Sequence, residues 1–109
     1  MNDSQFNALA DAALEHIQAG LEASGADVDF AMVSAGVLEI EFADHSKIIV
    51  NRHAVAKELW VAARSGGFHF RWDGAVWRDT RNQEALMPAL SLLFSAQAGR
   101  HVDLNACDT

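Results

Sequence analysis

The sequence predicts an α+β two-layer sandwich, with N- and C-terminal helices packed on one face of an about six-stranded antiparallel sheet. Three observations carry that reading. Apolar residues recur at three- and four-residue spacings near both ends of the chain, as in amphipathic helices. Between them lie short runs rich in Ile, Val, Phe and Trp, bounded by turn-prone or polar residues. Two helices cover only one face of such a sheet, so the other face is left open.

Residues 4–23 form the first expected helix, capped by Asp3 or Ser4. Its buried stripe is Phe6, Leu9, Ala10, Ala13, Leu14, Ile17 and Leu21. At 100° per residue, Asp11, Glu15 and Glu22 fall within about 40° of one another on the opposite side. Ser24-Gly25 ends the helix. Asp27 to Met32 alternates as a strand with Asp27 and Asp29 on one side. A turn at Ala35-Gly36 leads into Val37–Phe42, where Leu38, Ile40 and Phe42 face inward, and Asp44-His45 turns the chain again.

His45 to Arg81 reads as four strands. A turn over Ala54–Lys57 sets His53 opposite Glu58, Arg52 opposite Leu59 and Asn51 opposite Trp60. Gly66-Gly67 reverses the chain. Asp73-Gly74 suggests a two-residue hairpin pairing Trp72 with Ala75 and Phe70 with Trp77. Alternation places Phe68, Phe70, Trp72 and Trp77 on the covered face, with His69, Arg71, Val76 and Arg78 opposite. The open face then carries Asn51, Trp60, His69 and Arg71, and an exposed Trp among polar residues stands out there. A second helix is expected from about Glu84 to Ala98, with Leu86, Leu90, Leu93 and Phe94 buried, Pro88 tolerated in its first turn and Gly99 as its stop. The tail HVDLNACDT is expected to give a short extended segment at most, with little cover between the helices and therefore modest stability.

At 109 residues the chain suits one domain, 1–109. No apolar run approaches the roughly 20 residues that span a bilayer. The N-terminus has neither secretory nor mitochondrial targeting character, so a cytoplasmic protein is expected. The single cysteine, Cys107, cannot form an internal disulfide and reads as an incidental thiol in the tail. Charge is unevenly distributed. Residues 1–46 hold nine acids and no Lys or Arg, whereas residues 47–109 hold eight bases and six acids. The halves carry −9 and +2, which favours a cation or a basic partner and disfavours nucleic acid.

The run GVLEIEFADHSKIIVNRH, followed by LWVAA, GGFHF and WRDTR, resembles the frataxin family, specifically its bacterial CyaY branch. The opening MNDSQFNALAD is similar too, so the resemblance spans essentially the whole chain. It implies a non-enzymatic, iron-binding regulator of iron–sulfur cluster assembly, with ferrous or ferric iron (Fe2+/Fe3+) held weakly at surface carboxylates. The implied metal-binding residues are Asp11, Glu15, Glu22, Asp27 and Asp29 along an acidic ridge. That ridge is also implied to dock on a cysteine desulfurase. Asn51, Trp60, His69 and Arg71 are the implied contacts to the assembly machinery, including the iron–sulfur scaffold protein. A monomer that oligomerises with iron is the implied state, without membrane or nucleic-acid partners. The alternative within the family is an iron donor or store with ferroxidase-like activity, although the chain has no Glu-x-x-His pair of the di-iron kind. This sequence departs from the family late in the first helix, where Gln18–Ala23 keeps only Glu22 as an acid, and at Ala31. Fewer ridge acids imply weaker iron binding.

Overall fold

The computed structural model describes residues 1–104. Its elements run α1 (Asp3–Ser24), β1 (Val28–Ser34), β2 (Val37–Phe42), β3 (Lys47–His53), β4 (Glu58–Ala63), β5 (Gly66–Trp72), β6 (Trp77–Asp79) and α2 (Leu86–Ala98). The six strands lie in sequence order, each antiparallel to its neighbour. Both helices cover one face. Phe6, Leu14, Ile17 and Leu21 of α1 and Leu86, Leu90 and Phe94 of α2 are buried against Leu38, Ile40, Ile48, Val50, Leu59, Val61, Phe70 and Trp77 of the sheet. This is the α+β two-layer sandwich the sequence predicts.

Local chemistry adjusts several boundaries. Asn2, not Asp3 or Ser4, caps α1: its side chain accepts from the Gln5 backbone N–H at 2.8 Å, and Gln5 returns a bond to the Asn2 N–H at 3.0 Å. That reciprocal pair satisfies two of the donors a helix start leaves free. Asp27 lies just before β1, not within it. The β3–β4 turn over Ala54–Lys57 gives the expected pairs of His53 with Glu58, Arg52 with Leu59 and Asn51 with Trp60. The β4–β5 reversal is made by Arg64-Ser65, with Gly66 and Gly67 already paired to Ala63 and Ala62 in the ladder.

The β5–β6 hairpin differs from the expected two-residue turn. Trp72 pairs with Trp77, Arg71 with Arg78 and Phe70 with Asp79, across a four-residue loop. The Asp73 carboxylate is the cause. It accepts from the Ala75 and Val76 backbone N–H groups, both at 2.8 Å, while the Asp73 N–H donates to the Val76 carbonyl at 3.0 Å. This side-chain closure lengthens the loop. The register moves by two residues, so each strand residue keeps its expected face.

Helix α2 starts at Leu86, two residues later than expected, because Ala85 pairs with Arg78 in an isolated bridge. Pro88 is the third helical residue, where no intrahelical donor is needed. The buried Gln97 ties the other end of α2 to the sheet. Its amide donates to Ser46 Oγ at 3.0 Å and the Lys47 carbonyl at 3.1 Å, and its Oε1 accepts from the Arg64 N–H at 3.2 Å. Gln97→Ala leaves these groups short of partners. It is expected to cost about 1–3 kcal/mol by chemical denaturation, and a loss under about 0.5 kcal/mol would contradict that anchoring role.

The tail corrects the expectation of little cover. Val102 is 2% exposed and Leu104 fully buried. The Ser95 hydroxyl accepts from the Val102 N–H at 2.8 Å, and the Ser91 hydroxyl accepts from the Leu104 N–H at 3.0 Å. The Leu104 backbone crosses Gly20 of α1, where a Cβ would stand 2.5 Å from the Leu104 carbonyl oxygen. The chain thus closes the seam between the helices, which removes the reason given for modest stability. The Cys107 reading falls outside the described residues.

Candidate functional site

Four of the nine acids in the first half of the chain are answered by a Lys or Arg from the second half. Lys57 donates to Asp3 at 2.5 Å, Lys47 lies 3.1 Å from Glu39, and Arg64 donates to Asp44 at 3.0 Å. Arg52 crosses Gly36 to pair with Asp11 on α1. The Lys57 hydrogen bond and charge hold the Asp3 carboxyl below its ordinary pKa. Hydrogen bonds from the Ser46 side chain and backbone lower Asp44 to about 2 against the opposing effect of desolvation, with Arg64 assisting.

Glu15, Glu22, Asp27 and Asp29 are exposed and have no basic partner among the described residues. They follow the second half of α1 into the first edge strand. Asp29 stands directly opposite Glu41 in the β1–β2 ladder, a like-charge juxtaposition, while Glu41 itself has Lys47 on its other side in the ladder and His45 Nδ1 at 3.4 Å. Asp11 differs from these four because it already has Arg52. Among the described residues, no three His, Cys, Asp or Glu side chains converge into a metal-ligating group. Hard carboxylate oxygens spread over an open surface suit a weakly held hydrated cation, not an enclosed one.

The open sheet face holds the second set. Trp60 lies between Asn51 and His69 in the ladder, and Glu58 between His53 and Arg71. The sequence places Trp60 on this face but not its surroundings. The ring is half-buried, not simply exposed, because two imidazoles lie parallel to it. His53 stacks at a centroid distance of 3.8 Å and 8°, and His69 at 4.6 Å and 7°. Asn51 turns its amide to the Arg52 carbonyl at 3.1 Å.

Glu58 organises this face and was missed in the sequence, as was His53. Its side chain is only 8% exposed and accepts from Trp60 Nε1–H at 3.0 Å and from the Arg71 guanidinium at 2.6 Å. His69 Nδ1 is 3.6 Å from the same carboxylate. Burial pushes the Glu58 pKa up, but the hydrogen bonds from Trp60 and Arg71 and the charges of Arg71 and His69 outweigh it, leaving a net lowering. The available signal was an acid two residues before a Trp on the polar side of a strand. Placing it against Arg71 also required the β4–β5 register.

Residues 1–100 match the family model described as a frataxin-like domain. The iron-sulfur cluster assembly protein CyaY of Dechloromonas aromatica is 66% identical over 104 residues, covering 95% of this chain and 99% of that protein. The protein of the same description from Cupriavidus metallidurans is 51% identical, covering 91% and 92%. A solved frataxin from Psychromonas ingrahamii superposes with a TM-score of 0.88 at 35% identity, covering 95% of this chain and 98% of that one. A trimeric yeast frataxin (Saccharomyces cerevisiae) complexed with ferrous iron gives a TM-score of 0.69 at 24% identity, covering 84% and 86%, a likeness that speaks for the fold alone.

Proposed function

The chain belongs to the frataxin family, and on that premise we propose that it is a non-enzymatic, iron-responsive regulator of iron–sulfur cluster assembly. In this reading it acts in the cytoplasm by contact with a cysteine desulfurase and the cluster scaffold protein. The carrying observation is the set Glu15, Glu22, Asp27 and Asp29, which has no Lys or Arg partner among the described residues while the neighbouring acids Asp3, Asp11, Glu39 and Asp44 are paired. Unanswered carboxylates attract Lys and Arg on a partner and accelerate encounter. They attract iron by the same field, so cation and partner compete for one surface. Asp11, already bound to Arg52, contributes least to either.

A ¹⁵N NMR titration with purified cysteine desulfurase, with and without ferrous iron under anaerobic conditions, tests this reading. Perturbations are expected to centre on Glu22, Asp27 and Asp29 and to change when iron is present. Reversing these three charges to Lys is expected to weaken docking at least about tenfold at low salt, with the loss shrinking as salt rises. Docking that is unchanged by the reversal would remove the ridge from the mechanism. Docking that iron leaves unaltered would reduce the protein to an adaptor.

A further inference from the structure

We propose that His53 and His69 aim Trp60: they clamp the indole from the strands on either side of β4, so a docking partner meets its edge and not its face. This rests on the proposed regulator contacting the scaffold protein through its open face, as the family resemblance implies for Trp60 and His69, and it specifies how. His53 and His69 lie within 8° and 7° of the indole plane. His53 is itself pinned, its Nδ1 accepting from the Ala56 N–H at 3.2 Å. The indole N–H is committed to Glu58 at 3.0 Å. Both π faces and the one polar atom of Trp60 are therefore used inside the protein.

What a half-buried indole in this setting offers to solvent is its rim. The aromatic quadrupole makes that rim electropositive, and the ring faces, where negative potential lies, are taken. Next to it stand the side chains of Arg71, 65% exposed, and His69, 50% exposed. The partner that fits is a protein surface with a narrow apolar slot walled by carbonyl or carboxylate oxygens. A partner aromatic laid flat on the indole is blocked by the imidazoles. A ring already fixed on both sides also loses little rotamer freedom on docking, which raises affinity by preorganisation.

Calorimetric titration of purified scaffold protein and, separately, cysteine desulfurase with four variants tests the clamp. Trp60→Ala is expected to weaken binding about 30-fold or more, as for an interface hot spot. His53→Ala and His69→Ala are each expected to weaken it about three- to tenfold. His53→Phe retains a flat ring without nitrogen and is expected to recover most of the affinity. In ¹⁵N spectra the Trp60 indole resonance moves in the His→Ala variants, while those of Trp72 and Trp77 stay in place and report an intact fold. If Trp60→Ala weakens binding and the His→Ala variants do not, the clamp is wrong and the docking reading stands. If His53→Phe is as weak as His53→Ala, a flat ring at that place does not hold the indole for docking and the clamp is overturned. If Trp60→Ala binds both partners normally, docking through the open face fails and the clamp fails with it.

Discussion

Leu104→Ala is expected to lower the free energy of unfolding by about 2–4 kcal/mol, or roughly 10–20 °C in melting temperature. Leu104 is fully buried although it lies beyond the last helix. Truncating it opens a void in the core between α1 and α2. Against a typical total stability of about 5–15 kcal/mol, that is a large share for a residue in a tail. Urea unfolding followed by circular dichroism measures it. A loss below about 0.5 kcal/mol would mean that Leu104 does not belong to the core. Gly20→Ala probes the same seam from the helix. Helix propensity alone favours Ala by about 1 kcal/mol. The new Cβ, however, would meet a backbone carbonyl at 2.5 Å, and that carbonyl belongs to a segment held through Ser91 and Ser95. Backbone cannot swing aside as a long side chain does, so the clash wins and the variant is expected to be destabilised. Combining it with Leu104→Ala should cost less than the two losses added, because a loosened tail yields more easily.

The same seam shows what was legible in the sequence and what was not. Alternation and turn residues suffice for the strands, and the β3–β4 register follows from the turn that closes on Lys57, at φ 56°. Asp73-Gly74 misleads because the Asp73 side chain supplies a competing loop closure that dipeptide preference does not contain. The tail looks polar, yet Val102 and Leu104 lie two apart like a strand's inward pair. A second cue is Gly20, a glycine within the apolar stripe of a helix, which signals a close backbone approach. The ridge carboxylates are legible as a stripe. Which of them stay unanswered is not, since it depends on pairs such as Asp11–Arg52 and Asp3–Lys57, separated by 41 and 54 residues. Alternation gives Trp60 its face, and the β4–β5 register sets His69 directly opposite it. The cover from His53, which is paired with Glu58, depends instead on a diagonal contact between β3 and β4.

Glu58→Gln is expected to cost about 1–2 kcal/mol near neutral pH, with the cost vanishing in acid. The substituted amide would keep an acceptor for the Trp60 N–H but lose the charge that faces Arg71 and His69. Because Arg71 is 65% exposed, solvent screens the pair and limits its worth. The sign follows from linkage. The folded pKa of Glu58 lies below its ordinary value, so the native state holds the ionised form more strongly than the unfolded chain does. The resulting stability is fully present above the ordinary carboxylate pKa. It is lost as pH falls through the lowered folded value. Asp44 and Asp73 are both held at about 2, Asp73 mainly by the Val76 and Ala75 backbone N–H groups. They weaken both proteins alike and cancel in the difference between melting curves recorded from pH 7 to pH 3. The two curves should converge toward acid. A gap that stays constant would show that the carboxylate charge contributes nothing, and one that widens would reverse its sign. Either outcome would leave Glu58 supporting the indole as a hydrogen-bond acceptor alone, with no stabilising contribution from its charge toward Arg71 and His69.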